Sequence, residues 1–224
     1  MLIEQTPDFI RKLIPGAVWR LPQKEKTVYL TFDGPIPEVT PWVLDLLRKY
    51  NIKATFFCVG DNVRKHPEVF KMLVSAGHSV GNHTFNHLQG FKVKSDKYVE
   101  NVELADAYIR SNLFRPPHGH LRIRQGTRLS KKFRFVMWDV ITRDYNRKLS
   151  GEYVLNVVKR YVRNGSIIVF HDSIKAEKNM KYALPRAIEF LLSEGYKFEK
   201  IFCICNSGMI GENRTFHQIA FISC

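Results

Sequence analysis

Seven short apolar runs alternate with stretches of helical character, and this alternation restricts the possible folds more than any other feature. The runs cover residues 28–32, 54–59, 78–81, 113–115, 135–138, 167–170 and 196–203. Ala54-Thr55-Phe56-Phe57-Cys58-Val59 is nearly continuous in apolar residues, as in a strand buried on both faces. Helices are predicted over 38–50, 62–75, 95–110, 123–130, 150–164 and 180–194. Leu44, Leu46 and Leu47 give the first its apolar side, Ser95 and Ser150 stand at N-caps, and Gly77, Gly165 and Gly195 act as stops. Strand–helix alternation implies parallel strands joined by crossover helices, hence an α/β fold. The 224 residues suit one domain over 27–224, with residues 1–26 as an arm or short cap over one end.

The polar residues that could carry chemistry fall just after these runs. Tyr29-Leu30-Thr31-Phe32-Asp33-Gly34-Pro35 is a strand that ends in a carboxylate and turns. His83-Thr84-Phe85-Asn86-His87, Arg115-Pro116-Pro117-His118-Gly119, Asp144 and Val169-Phe170-His171-Asp172 follow later runs in the same way. Strand C-terminal ends are where barrel folds of this class place reactive groups. The spacing of His83 and His87 would bring both imidazoles to one ion if they share a helical turn. Two histidines and a carboxylate suit a catalytic metal site with an open coordination position.

Together these four stretches resemble the polysaccharide deacetylase family, the NodB-like carbohydrate esterases. The resemblance spans about 27–196 and implies an irregular (β/α) barrel of about seven parallel strands. It also implies hydrolysis of N-acetyl or O-acetyl groups on a polysaccharide or oligosaccharide by metal-activated water. By resemblance, His83, His87 and an aspartate of the first motif bind one divalent ion, with zinc expected and cobalt or nickel as alternatives. Arg115 tethers the catalytic base. His118, where the family commonly has an aromatic residue, supplies a backbone N–H to the oxyanion. His171 is the general acid, Asp144 orients it, Val169 packs against the acetyl methyl and Tyr145 lines a groove wall. Residues 141–145 depart from the family's Asp-x-x-Asp-Trp motif twice, with Ile141 for the first Asp and Tyr145 for Trp.

The largest departure is in the first motif, which in the family reads Thr-Phe-Asp-Asp-Gly-Pro and here has one Asp. Counted from the strand, Asp33 takes the base position; counted back from Gly34-Pro35, it takes the metal position, which is the expectation preferred here. An impaired relative that binds acetylated carbohydrate without hydrolysing it is the alternative. The net charge of +14 also raises a nucleic-acid reading. With no dense basic run and no nucleic-acid module, no nucleic-acid partner is expected; an acidic glycan remains a fitting partner. Cys58, Cys203, Cys205 and Cys224 form no CxxC pair, and Cys58 reads as a plain buried thiol. With no basic start followed by an apolar run, and no apolar stretch of ~18 residues, the sequence predicts no signal peptide and no transmembrane helix. That points to the cytoplasm, whereas the resemblance points to the cell envelope.

Overall fold

The computed structural model describes residues 4–12, 14 and 16–202. Its centre is β1 (Thr27–Asp33), in which every residue is buried. Around it stand β2 (Thr55–Cys58), β3 (Ser79–Asn82), β4 (Leu113–Phe114), β5 (Arg134–Phe135), β6 (Val140–Ile141) and β7 (Ile167–Phe170). All pair in parallel, in the order β5-β4-β3-β2-β1-β7-β6, and β8 (Lys197–Phe198) pairs with the start of β1. This is the expected α/β fold of about seven parallel strands, open between β5 and β6 as a half-barrel.

Alternation along β1 separates two environments. Leu30 and Phe32 join Phe56, Phe170, Val43, Leu47, Leu184 and Ile188 in the layer beneath the helices. Tyr29 packs with Phe57, Leu113, Val136, Ile167 and Ile201 on the opposite, inner face. Thr31 and Asp33, in phase with Tyr29, therefore point inward. The outer layer comes from α2 (Thr40–Lys49), α3 (Gly60–Lys65), α4 (Pro67–Ser75), α5 (Ser95–Ile109), α6 (Ile123–Leu129), α7 (Gly151–Tyr161) and α8 (Glu177–Ser193), with the short α1 (Asp8–Arg11) in the arm. Ser150 caps α7 as expected, its Oγ accepting from Tyr153 N at 3.1 Å.

Four expectations change. Ser95 is the first residue of α5 rather than its cap, and no side chain caps that helix. The helix predicted over 62–75 is two helices, because Pro67 lacks an N–H and holds His66 out of the helical region at φ −129°, ψ 62°. The strand predicted over 135–138 is cut short at Phe135 in β5, and a separate β6 follows beyond it; the two lie at opposite ends of the strand path. The arm is more than an end cap, since it bridges that opening. Val18 N donates to Phe135 O and Val18 O accepts from Met137 N, both at 2.8 Å. Thr6 N donates to Asp139 O at 3.1 Å, and Ile141 N donates to Glu4 O at 2.8 Å. The fully buried Asp139 carboxylate is neutralised by Arg11 and by Arg163 at 3.0–3.1 Å, and Ser166 Oγ donates to it at 2.7 Å. Of the cysteines, Cys58 is buried as expected; the other three lie outside the described residues.

Candidate active site

Asp33 ends β1 on the inner face, where Arg115 meets it. Arg115 follows β4 and is completely buried. Its Nη1 donates to Asp33 Oδ1 at 2.7 Å and to Thr31 Oγ1 at 2.9 Å; Nε and Nη2 donate to Val136 O and Met137 O at 3.1 and 2.9 Å. The guanidinium carbon also lies 4.0 Å from the Phe57 ring centre. A planar fork held at four acceptors has one orientation, and so does the carboxylate it grips. Burial pulls the Asp33 pKa up, but Arg115, His83 and His171 outweigh it and hold the carboxyl below the ordinary aspartate value. The next residue, Gly34, turns the chain with φ 82°.

His83 follows β3. Its Nδ1 lies 2.7 Å from Arg115 O, which must accept, so Nδ1 carries the proton and the free Nε2 faces Asp33 Oδ2 at 3.9 Å. Asp33 thus contacts both Arg115 and His83, the two partners that the alternative positions in the first motif would separate. Burial, only partly offset by Asp33, holds the His83 pKa down at about 3, so the ring is neutral. The His83 and His87 ring centres are 5.0 Å apart. They do not share a helical turn, contrary to the spacing argument. Thr84 and His87 have φ 63° and 54°. The loop is held by Asn82 Oδ1, which accepts from Thr84 N at 2.9 Å, and by Asn101 Oδ1, which accepts from Phe85 N and Asn86 N at 2.9 and 3.1 Å.

The His118 ring centre lies 5.0 Å beyond that of His87. His118 has φ 59°, and its ring is exposed. Gly119 follows at φ 70°, where a Cβ would come within 2.8 Å of the Trp138 ring. Glycine is required there on both counts, which fixes the turn carrying His118.

His171 emerges from β7 opposite Asp33. Its Nδ1–H donates to Asp144 Oδ1 at 2.8 Å and its backbone N donates to Asp144 Oδ2 at 2.7 Å. Nδ1 is the donor because the partner is a carboxylate, which leaves Nε2 for the site. Burial lowers the His171 pKa, but the charge and hydrogen bond of Asp144, with Asp33 beyond, raise it above the ordinary value. The Tyr145 ring stands edge-on to His171 at 4.7 Å. Val169, two residues before His171 on the same strand face, is buried on the inner side.

The sequence motifs did not single out Thr31, Thr40 or the role of Asp172. Thr31 Oγ1 accepts from Arg115 and donates to Ile168 O at 2.9 Å, tying β1 to β7 beneath the site. Asp172 points away from His171, and its Oδ2 accepts from Thr40 Oγ1 at 2.7 Å. Thr40 Oγ1 in turn accepts from Ile36 N at 2.9 Å, linking the turn after Asp33 to the His171 loop. Asp172 Oδ1 is buried without a partner among the described residues, and burial pushes the carboxyl pKa up to about 7.

Whether these residues suit a metal ion can be tested on the donor set. Two imidazoles bound at ~2.0–2.1 Å to one tetrahedral ion place their ring centres about 5 Å apart, which His83 and His87 match. The Nδ1–H of His83 on a backbone carbonyl is the supporting contact that metal-binding histidines usually make. Among the described residues, no three His, Cys, Asp or Glu side chains are already gathered around one point. The two histidines therefore fit an ion, with Asp33 Oδ2 the nearest carboxylate oxygen to His83.

Residues 20–137 match the family model described as polysaccharide deacetylase. A peptidoglycan-N-acetylglucosamine deacetylase of Bacillus cereus is 32% identical over 189 residues, covering 80% of this chain and 88% of that protein. The peptidoglycan-N-acetylmuramic acid deacetylase PdaA of Bacillus subtilis is 30% identical, covering 80% and 71%. The crystal structure of the Bc1960 peptidoglycan N-acetylglucosamine deacetylase superposes with a TM-score of 0.80 at 30% identity, covering 88% of this chain and 95% of that one. BA3943 of Bacillus anthracis, described as a CE4 family pseudoenzyme, superposes at 0.73 with 27% identity over 86% and 69%. Sequence and fold agree: the chain belongs to the polysaccharide deacetylase family.

Proposed function

We propose that this protein removes N-acetyl groups from a cell-wall glycan of the peptidoglycan type, working at the cell envelope. The observation that carries the reading is the pairing of two couples on one barrel rim: Asp33 with Arg115 at 2.7 Å, and His171 with Asp144 at 2.8 Å. One couple keeps a carboxylate ionised and aimed, as a base requires. The other raises the pKa of an imidazole above its ordinary value, in the direction an acid requires.

In this scheme Asp33 accepts the proton of the attacking water, and Arg115 fixes the carboxylate plane. His171, with Nδ1–H anchored on Asp144, donates from Nε2 to the departing amine. Val169 and Tyr145 flank His171 as walls for the acetyl group, and the His118 backbone N–H serves the oxyanion. His83 and His87 would hold a divalent ion, zinc, cobalt or nickel, with Asp33 Oδ2 as a shared ligand. When bound, such an ion supplies Lewis acidity and lowers the pKa of a bound water from 15.7 towards about 7. No described helix is long and apolar enough to cross a membrane.

A second reading is favoured by one observation: a single carboxylate contacts both Arg115 and His83. If Asp33 cannot serve both, the protein binds acetylated glycan without cleaving it, and the family includes a described pseudoenzyme. The deciding experiment measures acetate release from peptidoglycan fragments and N-acetylchitooligosaccharides by the wild type, His171→Gln and His83→Ala, with metal content measured in parallel. About one ion per chain, lost in His83→Ala, and acetate release that falls by ~10²–10⁴-fold in His171→Gln, are expected. Glycan binding with no acetate from any substrate would leave the binding-protein reading.

A further inference from the structure

Beside the His171–Asp144 pair is a cavity of about 440 Å³ that the scheme above leaves unused. Its walls continue the two loops that carry the pair. Arg147 stands three residues beyond Asp144, and Ile174 and Lys175 stand three and four beyond His171. Three residues of chain reach at most ~10 Å, so the cavity adjoins the site. Asn179, also in its wall, donates to Asp144 O and Leu149 O at 3.1 Å and to Asn146 O at 3.3 Å. The loop that orients His171 is thus also fixed against the cavity.

The lining is basic. Arg147, Lys175 and Lys178 are exposed around it, and among the described residues none forms an ion pair with a carboxylate. The one acid in the lining, Glu177, is engaged by Lys181 at 2.6 Å. Three unneutralised cations around a concave surface attract an anion, and the planar Arg147 fork suits a carboxylate in particular. Ile174, 58% exposed, adds an apolar surface beside them. Cations next to an exposed aliphatic side chain complement a carboxylate carried on a short aliphatic arm.

We propose that Arg147, Lys175 and Lys178 form a subsite for a carboxylate-bearing sugar adjacent to the sugar being deacetylated. This rests on the deacetylase reading and narrows it. The substrate class is an acidic glycan in which carboxylate-bearing and acetylated units neighbour each other, rather than a neutral homopolymer.

The test is titration calorimetry of the full-length protein with two tetrasaccharides, one of N-acetylglucosamine alone and one alternating N-acetylglucosamine with N-acetylmuramic acid. An exposed charge pair contributes roughly two- to fivefold in affinity, so two or three give the acidic ligand an advantage of about tenfold at low salt. Arg147→Glu/Lys178→Glu abolishes that advantage and leaves neutral-ligand affinity unchanged. Lys49→Glu/Lys71→Glu, on α2 and α4, changes net charge equally and retains the advantage. Equal affinities in the wild type, no binding of the acidic ligand, or an advantage that survives the first double variant or disappears in the second, overturns the subsite. Acetate release is scored separately. Selective binding of the acidic ligand without acetate release defeats the deacetylase reading alone, and acetate release without binding preference defeats the subsite alone.

Discussion

Replacing Arg115 with Met removes the cation from the centre of the barrel while roughly preserving side-chain length. Arg115 is fully buried and donates to Asp33, Thr31, Val136 and Met137, so the variant leaves a buried carboxylate and three other acceptors without their donor. Breaking a buried ion pair from one side costs about 3–5 kcal/mol, well above what a surface pair contributes. The cost depends on pH with a definite sign. In the wild type the Asp33 pKa is depressed below its unfolded value of about 3.9, so its stabilisation is present above that pH and is lost as pH falls through the folded value. Without Arg115, burial becomes the dominant influence and raises the folded pKa, so the variant recovers stability as pH falls and the carboxyl takes up a proton. The gap between the two proteins is therefore widest near pH 7 and narrows towards pH 4. Urea unfolding at pH 7, 5.5 and 4 reads this directly, with Arg115→Met/Asp33→Leu, which removes both charges, as the control expected to be more stable than the single variant at pH 7. A cost below 1 kcal/mol at pH 7, or a gap that does not narrow on acidification, would refute the account of Asp33 as a carboxylate held ionised by Arg115.

Asp144→Asn removes the charge that raises the His171 pKa, so the His171 titration followed by NMR moves to lower pH, and the alkaline limb of any deacetylase pH profile moves with it; an unshifted titration would contradict the pairing. Asp172, pushed up to about 7 by burial, retains its proton in the native state over a range where the unfolded chain has lost it, so wild-type stability declines as pH rises towards 7. Asp172→Asn flattens that decline, which thermal unfolding at pH 5.5 and 8.5 checks. Ser150→Ala removes the cap of α7 and destabilises by about 1 kcal/mol. Its effect on hydrogen exchange is expected to be concentrated in the first turn of the helix, and uniform loss of protection would argue against a local role.

What was legible in the sequence was whatever local chemistry decides. The apolar runs of β1 and β7 and the cap at Ser150 lie where periodicity and capping rules put them. The Pro67 break was also written locally, but the apolar pattern across 62–75 concealed it. The rest depends on partners far along the chain. His83 and His87 have helical spacing, yet Asn82 and Asn101 take the loop's backbone N–H groups and impose positive φ at Thr84 and His87. Asp139 follows a strand much as Asp33 does, but Arg11 and Arg163 make it an internal ion-pair centre. Position after a strand does not distinguish the two; only the motif around Asp33 does. Arg115 reaches Asp33 across 82 positions, and only the family resemblance anticipated that link.

The arm that bridges β5 and β6 also sets an order of events in synthesis. Arg11 waits for Asp139, 128 residues later, and Glu4 waits for Arg143, 139 residues later. At translation rates of about 5–20 residues per second, the arm spends roughly 7–28 s without these partners. The edges of β5 and β6 become available only at the end of that interval, and until the arm docks they are unpaired strand edges able to recruit another chain. The last seam of the half-barrel is thus closed by its earliest-made segment, and soluble yield is expected to be more sensitive to changes in the arm than its small share of the core would suggest.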